Sequence, residues 1–94
     1  MDKKTFKSIK HKILSNLDTL RIAVKDCEDM GMLDIESSLY NQADDLYNQA
    51  SVSMDMGELE IIYIKAKDIE VNLDLWLSSI GKSTTALSWP QEFS

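Results

Sequence analysis

The sequence is poor in the residues that staple, ligate or break a chain: one cysteine, one histidine, one proline and three glycines in 94 residues. A lone cysteine excludes a disulfide framework within the chain, and one cysteine plus one histidine falls short of a zinc ligand set. A composition that is 44% hydrophobic and 28% charged excludes collagenous, low-complexity and disordered classes. No run approaches the roughly 18 apolar residues of a membrane span. The opening MDKKTFKSIKHKI is basic, as a signal peptide is, but no apolar stretch of signal length follows it. The expectation is one soluble, cytoplasmic domain.

Charge is plentiful but unevenly placed. Residues 1–25 hold seven of the ten cations against Asp2 and Asp18, a net of +5. Residues 26–94 hold fourteen carboxylates against Lys65, Lys67 and Lys82, a net of −11. An overall charge of −6 repels a phosphate backbone, so direct, specific nucleic-acid binding is not expected.

Three amphipathic series follow one another. Phe6, Ile9, Ile13, Leu17, Leu20, Val24 and Cys27 recur at steps of three and four, which predicts a helix over 3–30. Gly31 can end it in the left-handed conformation, and Asp34 suits the N-cap of the next helix. Ile35, Leu39, Ala43, Leu46 and Ala50 predict a helix over 34–54. Within it LYNQA occurs at 39–43 and again at 46–50, and a seven-residue spacing puts Tyr40 and Tyr47 on one flank. Asp55 with Glu58 reads as a capping box. Leu59, Ile62, Ala66, Ile69, Leu73, Trp76 and Ile80 then predict a helix over 57–80, closed by Gly81. Short turns make neighbours antiparallel. The fold class is therefore all-α: an up-down-up three-helix bundle, with a three-helix domain over 1–81 and an irregular C-terminal tail over 82–94. An extended helical hairpin completed by dimerisation is the competing arrangement.

No constellation carries catalysis. His11 has no Asp, Ser or Cys spaced to orient it or be activated by it, so it reads as a surface histidine. Cys27 lies on an apolar stripe beside Asp26 and Glu28, an environment that disfavours a thiolate. Residues 26–37 imitate a calcium loop at positions 1, 3 and 6, but Met30 and Ser37 occupy positions that need oxygen ligands. A helix-turn-helix reading fails because the would-be recognition helix begins Glu58-Leu-Glu-Ile-Ile. No enzyme, cofactor or metal site is expected.

Three surfaces remain. The basic stripe Lys3, Lys7 and Lys10 is expected to face Asp55, Glu58 and Glu60 across the bundle, with an anionic ligand as the other reading. An acidic pole gathers Asp26, Glu28, Asp29, Asp34, Glu36 and Asp74, and acids at a helix C-terminus oppose its dipole. Ile61, Ile64, Val71 and Leu75 form a second apolar face on the third helix, interrupted by Asp68. The tail, through Leu87, Trp89 and Phe93, or a second chain in a homodimer with Asp68 at its rim, is expected to cover it. The sequence thus points to a small acidic protein-binding module: an adaptor, chaperone or inhibitor that meets a basic or apolar surface of a larger protein. The alternative is an acidic nucleic-acid mimic, of phage or antitoxin type, that occupies a nucleic-acid-binding channel.

Overall fold

A computed structural model of the chain describes residues 3–29, 39–83, 85 and 87–93, with side-chain positions for all of these except Lys3, Glu28, Asp29 and Glu92. Among them are three α-helices: α1 (Lys3–Asp29), α2 (Leu39–Val52) and α3 (Met56–Ser79), followed by a 3₁₀ turn at Gln91–Phe93. All three helices touch one another, as an up-down-up bundle requires. At 1.5 Å per residue the 27 residues of α1 span about 40 Å, close to the 43 Å long axis of the molecule.

The core follows the predicted seams, with Phe6 and Leu39 only half-buried at its ends. Ile9, Ile13, Leu17, Leu20, Val24 and Cys27 from α1 meet Ala43, Leu46 and Ala50 from α2 and Leu59, Ile62, Ala66, Ile69 and Leu73 from α3, all buried. The α3 seam departs from expectation at its end. Leu77, not Ile80, closes it; Ile80 is 41% exposed and Trp76 is half-buried. The reason is helix termination: Ile80 is already the C-cap and no longer projects from a full turn. Gly81 at φ 77° follows, its N–H donating to the Ser78 carbonyl at 3.1 Å, while the Lys82 N–H reaches Leu77 at 2.9 Å. This paired bonding satisfies the last carbonyls, as the glycine foretells.

The α2–α3 turn is built differently from the predicted capping box. Asp55 is the N-cap of α3, but its carboxylate caps no amide. Ser53 takes over: its hydroxyl donates to Glu58 Oε2 at 2.9 Å, and its side chain is buried in the turn. Lys10 donates to the Ser53 carbonyl at 2.9 Å. The expected pairing of the basic stripe with Asp55, Glu58 and Glu60 is thus replaced, at Lys10, by a bond to the Ser53 carbonyl just past the end of α2, where a cation is favoured. Lys4 and Lys7 are exposed; the side chain of Lys3 lies outside the described residues, as do Gly31, Asp34 and Ile35.

The LYNQA repeat finds its purpose against α1. Arg21 sits over the Tyr47 ring at 4.3 Å and Lys25 over Tyr40 at 5.7 Å. Arg21 also binds Asp44 at 2.7 Å and Asp18 at 2.5 Å. Four residues along α1 thus match seven along antiparallel α2, and cation–π contacts of this kind contribute roughly 0.5–1 kcal/mol at exposed sites.

Truncating the middle of the core should be costly. Leu17→Ala or Ile69→Ala is expected to lose ~2–5 kcal/mol in chemical denaturation, because each leaves a cavity among buried neighbours.

Candidate protein-binding surface

The tail docks in the groove between α1 and α3. Leu87, Trp89 and Phe93 are half-buried against the core, and Pro90 is fully buried. Trp89 stands edge-on to Tyr63 at 5.6 Å, and Phe93 stacks on the same ring at 5.3 Å. Aromatic pairs in these arrangements contribute ~0.5–1.5 kcal/mol beyond their buried area.

Polar bonds fix the register of the tail. Trp89 Nε1 donates to Glu70 Oε2 at 3.1 Å, and Lys67 donates to Glu70 Oε1 at 2.8 Å. Asn16 Nδ2 donates to the Ser88 carbonyl at 2.6 Å. Both the N–H and the hydroxyl of Thr85 donate to Asp74 Oδ1, at 2.9 and 3.0 Å. Glu70 is only 5% exposed, so its carboxylate would be costly without these donors. Neither Glu70 nor Asn16 stood out in the sequence as a site. Each lies beside an apolar stripe rather than on it, and only the presence of a tryptophan in the tail hinted that a buried acceptor was needed.

The tail leaves the second apolar face of α3 uncovered. It sits over the Tyr63–Glu70 flank, while Ile61, Ile64, Val71 and Leu75 are 56%, 58%, 45% and 66% exposed. Val52 joins them at the turn, sharing an open groove with Ile61. At 100° per residue Asp68 falls within about 25° of the midline of this strip, so it lies on the row and not at its rim. Asp68 shares two open grooves with Lys65, one on each side of the row.

The members of the acidic pole have different surroundings. Asp26 is exposed, and Asp74 is half-buried and engaged by Thr85. Asp34 and Glu36 lie outside the described residues, as do the side chains of Glu28 and Asp29.

Among the described residues, reactive groups are not gathered. Cys27 is buried, and desolvation pushes its thiol up; Lys82 pulls it back by less, and Asp26 adds a smaller upward push. His11 is exposed on α1. Among the described residues no three His, Cys, Asp or Glu side chains converge as a metal site would need, and no helix is long and apolar enough to cross a membrane. No protein-family model, no curated protein and no solved structure matches this chain.

Two outcomes test the tail latch. Trp89→Phe keeps the ring but leaves Glu70 Oε2 without its donor, and should cost ~1–3 kcal/mol in chemical denaturation. The Lys67 ammonium is held above its ordinary value of 10.5, chiefly by its hydrogen bond to Glu70. A group raised on folding contributes fully below its unfolded value and loses that contribution as pH rises through the folded one. The stability difference between wild type and Lys67→Met should therefore be level from neutral pH up to about 10 and shrink only beyond 10.5.

Proposed function

We propose that this protein is a non-catalytic protein–protein interaction module, an adaptor, chaperone or inhibitor of a larger protein, and that the outward face of α3 is its contact surface. The observation that carries the reading is that Ile61, Ile64, Val71 and Leu75 stay exposed although the tail is docked one flank away. An apolar strip of this kind, bordered by polar residues, has the character of an interaction site. Glu60 and Asp68 lie exposed along it, so the partner best suited to it sets lysines or arginines around an apolar groove. The acidic pole then serves as a second, electrostatic contact that speeds encounter with the same basic partner.

Burial and a raised thiol at Cys27 support a role without nucleophilic chemistry. The nucleic-acid mimic is the second reading, favoured by the exposed carboxylates of Asp26, Asp45, Asp55, Glu58, Glu60 and Asp68.

Ile64→Glu decides between them. Ile64 is already more than half exposed, so the melt should be unchanged. Affinity for the protein captured by wild type from its native host should fall by about 30-fold or more, the loss of a central contact worth ~2 kcal/mol. A variant that binds as well as wild type, through a complex that dissolves between about 50 and 200 mM salt and competes with nucleic acid, would establish the mimic instead.

A further inference from the structure

The outward face of α3 has the repeat of a helix–helix seam. Ile61, Ile64, Asp68, Val71 and Leu75 follow one another at steps of three, four, three and four, the spacing by which two helices pack along a common line. The inner face of the same helix uses the same steps to build the core. We infer that the occupant of the outer seam is a second copy of this chain, packed antiparallel, α3 against α3. This rests on the reading of that face as a contact surface: in the free protein the chain closes the face on a copy of itself, and the larger partner displaces that copy.

Charge selects the orientation. A parallel, in-register pair would place Asp68 directly against its own copy in the middle of the apolar row, where like charges repel. An antiparallel pair turned about a two-fold axis near residue 66 sets Ile61 beside the partner's Val71 and Ile64 beside the partner's Asp68. Each Asp68 then lies next to the partner's Lys65. Both side chains are exposed in the single chain and stand at the edges of the same two grooves. The two-fold axis makes every such contact twice. About that axis the strip overlaps its copy from Ile61 to Val71, about 15 Å, with Leu75 beyond the overlap, so two copies bury no more than the smallest specific interfaces do and the dimer is expected in the micromolar range or weaker.

The test is sedimentation equilibrium of the full chain from about 5 to about 500 µM, a span suited to an interface of this size. Wild type should pass from monomer to dimer mass, and Ile64→Glu should stay monomeric with its melt unchanged. Lys65→Asp and Asp68→Lys should each weaken the dimer by about three- to tenfold, and the double exchange should restore it. Failure of the double exchange to restore association would overturn the antiparallel arrangement, since only that arrangement brings these two residues together across the interface. A wild-type chain that stays monomeric at the highest concentration would overturn self-pairing altogether. Loss of partner capture by Ile64→Glu would then still uphold the contact surface, so the two readings fail separately.

Discussion

The Glu70 carboxylate is the constraint on which the surface of this molecule depends. It lies almost fully out of water, with Lys67 on one oxygen and the Trp89 indole on the other. A carboxylate so placed is tolerable only while both donors stay, which ties the tail to α3 as firmly as the side chain is buried. Once Trp89 is fixed, Tyr63 and Phe93 stack beside it, Pro90 is buried, and the Ser88 carbonyl reaches Asn16 on α1. The tail therefore behaves as a fourth layer of the bundle. Its route also determines what stays open, because chain spent on the α1–α3 groove is not available to the outer face of α3.

The other side of the bundle is held by cations from α1. Arg21 and Lys25 belong to the basic N-terminal quarter of the chain, whose excess charge suggested an anionic ligand or a compensating acidic neighbour. Their partners are the two tyrosines of the repeat, with Asp44 between them in sequence. Arg21 is well suited to this position, since a planar guanidinium can lie on a ring and still fork to two carboxylates. Part of the charge asymmetry is thereby consumed in joining α1 to α2. Of the carboxylates exposed on α3, Glu58 is engaged by Ser53, whereas Glu60 and Asp68 have no such use among the described residues.

Periodicity made the bundle legible before any coordinates. The α1 stripe from Ile9 to Cys27 is buried without exception, because a continuous three-four pattern on a 27-residue helix leaves one face for the core. Gly81 announced the end of α3 for an equally local reason, the positive φ that glycine adopts without strain. What escaped the sequence were decisions made between distant segments. Whether Glu58 would bond Asp55 or Ser53 depends on the path of a three-residue turn, and the serine wins because it sits inside that turn. Whether Leu77 or Ile80 closes the seam depends on where the helix unwinds. Glu70 and Asn16 look like ordinary surface polar residues on their helices; only the tail, 19 and 72 residues further on, turns them inward.

The second apolar face was legible for the opposite reason: it breaks the rule that the bundle otherwise obeys. A helix at the edge of three has one neighbour-facing side, and selection for solubility alone would place charge at Ile61, Ile64, Val71 and Leu75. The chain has charge to spare, yet along this row it uses only Asp68, with Lys65 beside it. A lone carboxylate within an apolar seam adds little to monomer stability, since it is exposed. In a paired seam the same group gains a role, because it penalises one orientation and favours the other. The outer face of α3 is thus constrained in the manner of a packed surface, with size, spacing and a single polar position all specified. Nothing among the described residues meets these specifications, which is why the proposed neighbour is sought in a second molecule.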